Sequence, residues 1–242
     1  MFPQWLNRYL PAGPQSLEQA RYGLEGYDIT RPSIGLDFCV RKVCAPCNNG
    51  WLSNLEASSI STLDPLITTL RLQMLPLTAQ RLISLWAAKT AIMLDNTQTD
   101  PILPPAKLSR MRNHRAIPGG TRVWLGACAE LHPLVMSHTV RIATVNIDGP
   151  DKQLPTGFYA PMKIGHLCLY VYFPMMDFVI QHPPEYHIAL ARIWPRRASD
   201  LPWPPPGQPR DSAEFELFAN SLRQSWRVFS VDHALRHGVK ES

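Results

Sequence analysis

The spacing of apolar and polar residues divides the chain into three stretches of different texture. Residues 1–37 keep no sustained period, because Pro3, Pro11, Gly13, Pro14, Gly23, Gly26, Pro32 and Gly35 interrupt it; they read as loop-rich, with room only for short strands. Phe38-Cys39-Val40-Arg41-Lys42-Val43 alternates and predicts a strand running into Cys44-Ala45-Pro46-Cys47, and Trp51-Leu52-Ser53-Asn54-Leu55-Glu56 predicts the start of a helix. Between Leu55 and Leu70 the apolar residues Leu55, Ile60, Leu63, Leu66, Ile67 and Leu70 suit an amphipathic helix that Pro65 should kink or divide. A second helix, capped by Thr78 and ending near Asn96, carries Leu82, Ile83, Leu85, Trp86, Ala88, Ile92 and Met93, enough to make it largely buried. Prolines open a third, Pro104 to Arg115, which bears Lys107, Arg110, Arg112, His114 and Arg115.

After Gly119-Gly120 the apolar runs shorten and become β-branched and aromatic. Thr121 to Cys128, Val140 to Ile147, Ile164 to Phe173, Phe178 to His182 and His187 to Trp194 predict strands of an antiparallel sheet. Pro202 to Pro209 reads as a proline-rich connector, and Ser212 to Trp226 as a terminal helix with Phe215, Leu217, Phe218 and Leu222 on one face. The expected fold class is therefore α+β, with an N-terminal segment over residues 1–56 and a body over 57–242 made of helices to about residue 116, then mainly strands.

Composition adds bounds. With 45% hydrophobic and 18% charged residues in 242, the chain can bury a core without disulfides. Its 24 prolines, about twice the usual share, call for stiff connections and sharply ended helices. A net charge of +5 allows a polyanionic partner without demanding one. Five cysteines and no signal peptide at Met1-Phe2-Pro3-Gln4-Trp5 point to a reducing cytoplasm. The longest apolar tract, Ile164 to Ile180, contains His166, Pro174 and Asp177, so it reads as buried strands and no membrane span is expected.

Candidate chemistry centres on Cys44 and Cys47. Their spacing fits half of a tetrahedral metal site, a redox pair, or coincidence. Cys39 could be a third ligand or a buried thiol, while Cys128 and Cys168 lie in apolar strands and read as core. Arg41 and Lys42 flank the knuckle and are candidates for nucleic-acid contact, although a solvated strand edge also carries such residues. The basic segment from Lys107 to Arg115 reads first as an exposed charged face. His132, His138, His166, His182 and His187 lack ligand-like spacing, and Trp5, Trp51, Trp86, Trp124 and Trp194 read as packing residues, with base stacking the minor alternative. There is no phosphate-cradling glycine loop, G-x-S-x-G elbow or H-E-x-x-H helix.

The stretch VRKVCAPCNNGWLSNLE, Val40 to Glu56, resembles the second half of the HNH endonuclease-like module of bacterial and phage proteins, where C-x-x-C-N-N-G-W-[ML]-S-x-L-E recurs. The opening FPQWLNRYL resembles the segment just after the histidine in the same group, and Trp86-Ala87-Ala88-Lys89-Thr90, Val123-Trp124-Leu125 and Arg192-Ile193-Trp194-Pro195 are similar to body elements of its long actinobacterial members. The resemblance implies a treble-clef or ββα-type segment in which Cys44 and Cys47 are the second pair of structural zinc ligands and Asn48 orients the base or backbone. It also implies a first Cys-x-x-Cys and a general-base histidine, which would fall before Met1; a start codon set inside the motif is the expectation. On this footing the chain is an HNH endonuclease-like, nucleic-acid-binding protein, DNA more readily than RNA, inactive as it stands. Zinc would be structural, and magnesium or a similar divalent ion would serve a full-length nuclease. Gly50-Trp51 stands where working nucleases often carry a further histidine ligand, so whether the chain is an enzyme stays open. The other reading is a noncatalytic protein- or ligand-binding protein with a vestigial zinc knuckle.

Overall fold

The apolar periodicity of the first half of the chain becomes a layer of helices, and the β-branched second half becomes a sheet against it. The computed structural model describes residues 4–9, 16–23, 26–34, 43–96, 101, 103–130, 136–137, 140–145, 153–174, 190–195, 199–206 and 211. Gln4–Tyr9 is a 3-10 turn that buries Leu6 completely. Ser16–Gly23 (β1) and Gly26–Ile34 (β2) pair antiparallel, with Gly23 opposite Gly26. These strands, of eight and nine residues, are longer than the sequence suggested. Two of the glycines that broke the pattern simply stand at the strand ends that face each other. The expected strand Phe38 to Val43 lies, apart from Val43, outside the described residues.

Ser53–Thr68 (α1) buries Leu55, Ser59, Leu63, Leu66 and Ile67, one stripe at helical spacing. Of the two outcomes expected at Pro65, a kink or a division, division does not occur: one helix runs through it. The hydrogen bond that proline removes is the one to the Ser61 carbonyl, and Ser61 is exposed, where water can take its place. Gln73–Leu75 (β3) follows, then Leu77–Asp95 (α2). Every residue from Trp86 to Ile92 is buried, which makes α2 the central helix of the layer. Its cap position is Pro76 rather than Thr78, and the Gln80 side chain instead bonds the Leu75 carbonyl at 2.9 Å and the Ser199 carbonyl at 3.1 Å. Pro105–His114 (α3) ends at Arg115 in the left-handed conformation (φ 50, ψ 39), a place usually taken by glycine and costing another residue roughly 1–2 kcal/mol.

Arg122–Ala127 (β4), Met136–Ser137 (β5), Val140–Val145 (β6), Gln153–Ile164 (β7), Leu167–Pro174 (β8) and Ala191–Trp194 (β9) build one antiparallel sheet in the order β5-β7-β8-β4-β9, with β6 also paired to β7. The single strand expected from Ile164 to Phe173 is broken at its start. Gly165 (φ +55) and His166 turn the chain, and β7 runs back antiparallel to β8 with Ile164 opposite Leu167. Phe178 to His182 and the helix expected at Ser212 to Trp226 lie outside the described residues. Leu201–Trp203 (β10) pairs with β3, so the start of the expected proline-rich connector is a strand.

Alternation along the strands gives the sheet two faces. Val123, Leu125, Phe158, Ala160, Leu169, Val171 and Phe173 join Trp86, Ala87 and Ala91 of α2 in the main core, where each fully buried large apolar side chain contributes about 1.5–3 kcal/mol. Trp124, Tyr159, Tyr170 and Tyr172 occupy the alternate positions, also buried, with Tyr159 and Tyr172 ring centroids 4.9 Å apart. Cys128 and Cys168 are buried side by side near this face, in line with their reading as core thiols.

Candidate functional site at the cysteine knuckle

Cys44 leaves the chain extended (φ −69, ψ 148), after which Ala45–Cys47 and Asn48–Leu52 make two short helical turns leading directly into α1. The Asn48 N–H closes the first by donating to the Cys44 carbonyl at 2.9 Å. At Gly50 the backbone departs from helical angles (φ −102, ψ −112), and this kink bends the knuckle before Leu52 enters the core. Helical spacing brings the two sulphurs together. Cys44 is exposed, Cys47 half-buried, and both are free thiols.

The pair is electrically unequal. A hydrogen bond from Cys47, first from its thiol and then from its backbone N–H, holds the Cys44 thiol below its ordinary value, with the Arg112 guanidinium pulling the same way. That same thiol bond pushes Cys47 up, aided by desolvation and by the charge on Cys44, and opposed by the Trp51 indole and Arg112. The Trp51 N–H is buried without an oxygen or nitrogen acceptor, so its influence falls on the Cys47 sulphur. Cys44 is therefore the sulphur that ionises first, in the field of an arginine from α3.

Arg112 is the residue that sequence spacing could not bring to the knuckle. Together with Cys44 and Cys47 it lines a cleft of about 290 Å³ between the knuckle and α3. Trp51, Ile92, Met93, Leu108 and Met111 make its apolar walls, and Asn96 and Ser109 are polar points on them. Asn48, expected to orient a base or backbone, is exposed, and its side chain donates to that of Asn49 at 3.3 Å. Arg41, Lys42 and Cys39 lie outside the described residues.

Zinc, which the resemblance implies, would find two sulphur donors of the right type in Cys44 and Cys47. Among the described residues no three histidine, cysteine or carboxylate side chains gather to hold a metal ion, so these residues alone do not complete a tetrahedral shell.

Comparison of the chain with protein-family models, with curated proteins and with solved structures gave no match. Among the described residues no helix is long and apolar enough to cross a membrane.

Glu56, the last residue of the Val40 to Glu56 stretch, faces the body rather than the cleft. Its Oε2 accepts from the Trp5 indole at 3.0 Å and the Trp86 indole at 2.8 Å, and its Oε1 pairs with Lys89. Opening turn, knuckle helix and body helix thus meet at one carboxylate. With both oxygens engaged and Lys89 buried, this group locks the knuckle in place and is not available as a base.

Proposed function

We propose that the chain is an HNH endonuclease-like nucleic-acid-binding protein, with DNA its preferred partner, that holds its target through the knuckle and neighbouring basic residues without cutting it. The observation that supports this reading is Arg112 beside Cys44 and Cys47, a guanidinium of the kind that pairs with phosphate next to the stretch that resembles the HNH module. Cleavage needs a general base next to a metal-bound phosphate, and no histidine precedes His114 in the sequence. Cys44 and Cys47 are proposed as two zinc ligands on their donor chemistry, and Arg41 and Lys42 as phosphate contacts on the strand side. Magnesium would matter only to a form supplying the full ligand set.

The test is binding of duplex DNA by the purified chain over a range of salt, with zinc measured on the same preparation. Affinity should fall linearly on a log–log plot as salt rises, and reversing Arg41, Lys42 or Arg112 to glutamate should lower the slope by about one for each phosphate no longer neutralised. Cys44→Ser and Cys47→Ser should each reduce bound zinc, and supercoiled plasmid with magnesium or manganese should stay intact. Absence of binding to any nucleic acid at low salt would remove this reading. The apolar walls of the cleft favour the second one, a noncatalytic protein- or ligand-binding role, which predicts association insensitive to salt.

A further inference from the structure

We propose that the cleft between the knuckle and α3 receives an unpaired nucleobase, with Arg112 and Arg115 holding the phosphates beside it, so that the protein prefers single-stranded to duplex nucleic acid. This rests on the nucleic-acid-binding reading above and gives that site its substrate class. A duplex hides its base faces in the stack; a site that reads phosphates alone needs no hollow. Here a hollow exists. At about 290 Å³ it sits at the lower end of the roughly 300–1,000 Å³ of small-molecule sites, a size for one planar ring system rather than a whole nucleotide with its charged groups.

Its chemistry suits such a ring. Trp51 supplies an aromatic wall and Met93, Leu108 and Met111 an apolar one, the kind of surface on which any base can stack irrespective of sequence. Asn96 donates its side-chain N–H to the Ile92 carbonyl at 2.9 Å, which leaves its Oδ1 as the acceptor on the cleft wall. At the rim the charge is of one sign: α3 carries no acidic residue. Arg112 lines the cleft from the last turn of α3, while Arg110 and His114, two back and two on from it, lie on other sides of the helix. Arg115, exposed and in the left-handed conformation, follows directly after the last helical turn and adds a second cation three positions beyond Arg112. Guanidinium groups next to an apolar slot match a strand in which a base is turned inward and its phosphates stay outside.

The experiment is fluorescence anisotropy of the full chain with a labelled single-stranded DNA, the RNA of the same sequence, and the DNA duplex, at one salt concentration. A single strand, DNA or RNA, should bind between about fivefold and a hundredfold more tightly than the duplex, the range that stacking of one base supplies. Filling the cleft with Leu108→Trp should abolish that preference. Because this substitution can disturb packing, Arg115→Gly serves as a second variant, since glycine suits the backbone at 115, and it should weaken single-strand binding while folding normally by circular dichroism. Arg112→Glu should lose more affinity than Arg110→Glu, the same change of charge on a side of α3 away from the cleft. Equal or tighter binding to the duplex, or equal losses from these two charge reversals, overturns the base-in-cleft proposal while leaving nucleic-acid binding in place. Failure to bind any of the three probes overturns both.

Discussion

Trp5 and Trp86 donate their indole N–H groups to the same atom, Oε2 of Glu56, at 3.0 and 2.8 Å. Trp5 belongs to the Gln4–Tyr9 turn, Glu56 to α1 and Trp86 to α2, so one carboxylate oxygen fixes three segments that are distant in the chain. Lys89, one turn beyond Trp86 and 4% exposed, neutralises the other oxygen. The position of the knuckle relative to the body therefore depends on this group.

Removing the carboxylate should be costly in a particular way. Glu56→Ala leaves a buried ammonium without its counter-charge and two indoles without an acceptor, an expected loss of about 3–5 kcal/mol. Adding Lys89→Met removes the stranded charge, so the double variant should be more stable than Glu56→Ala alone in urea unfolding. A double variant less stable than the single one would show that Lys89 has some other partner of comparable strength.

Gly165 opens the two-residue turn between β7 and β8. Its φ of +55 already disfavours a side chain, and an added Cβ would lie 2.3 Å from the Ile67 carbonyl oxygen at the end of α1. The same oxygen accepts from the His166 N–H at 2.9 Å, so moving it away breaks the bond between hairpin and helix. Gly165→Ala should cost about 2–3 kcal/mol and lower Tm by roughly 5–10 °C in a thermal melt. An unchanged melting curve would mean that the turn does not touch α1.

The two knuckle thiols should differ in reactivity. With the unliganded protein at neutral pH, iodoacetamide should modify Cys44 before Cys47, because Cys44 is exposed and ionises more readily, and peptide mass mapping reads the order directly. Cys47→Ala should slow the reaction of Cys44 more than Arg112→Ala does, since the Cys47 bond is the larger influence. Cys128 and Cys168 should react only after unfolding. Zinc bound at the pair should protect both knuckle sulphurs.

Alkaline stability depends on the buried hydroxyls and thiol. Burial pushes Tyr172 up to about 12 and Tyr159 and Tyr170 well above their ordinary value; Cys168 is pushed up first by its bond with Cys128 and then by burial. In each case the folded state holds its proton more tightly than the unfolded chain. Stability is therefore complete below the unfolded values and falls as pH rises through the interval between unfolded and folded ones, from about pH 9 for the thiol and about pH 10 for the tyrosines. Each buried tyrosine adds at most about 1.4 kcal/mol per pH unit to the slope. Urea unfolding at several pH values should show this decline, and a flat profile to pH 11 would contradict it.

Periodicity made the helices legible. The burial stripe of Leu55, Leu63, Leu66 and Ile67 and the closed packing around Trp86 are both written in the spacing of apolar residues, and the third helix lies within a residue of its expected start and end. The sheet was harder to read. Pro155, Gly157 and Pro161 disguised β7, and Gly165-His166 hid a reversal inside an apolar tract that has the composition of one strand. At the candidate site, Cys44 and Cys47 stood out by spacing, whereas Arg112, Met93 and Asn96 did not, because only the packing of α2 and α3 brings them to the knuckle. Local pattern carries local structure; a cleft between elements has no local signature.

Trp203, wholly buried, donates its indole N–H to the Thr69 carbonyl at 3.0 Å, and β10 lies antiparallel on β3 in the link between α1 and α2. The two partners are 134 positions apart. During synthesis the two helices leave the ribosome well before β10 and can associate while β3, which contains the exposed Met74 and follows the exposed Leu72, still has an unpaired edge. That edge waits through the making of the whole sheet before its own strand arrives. A nascent chain stalled short of residue 203 would thus carry an assembled helical layer with an open seam, and the late arrival of one tryptophan would be the event that seals it.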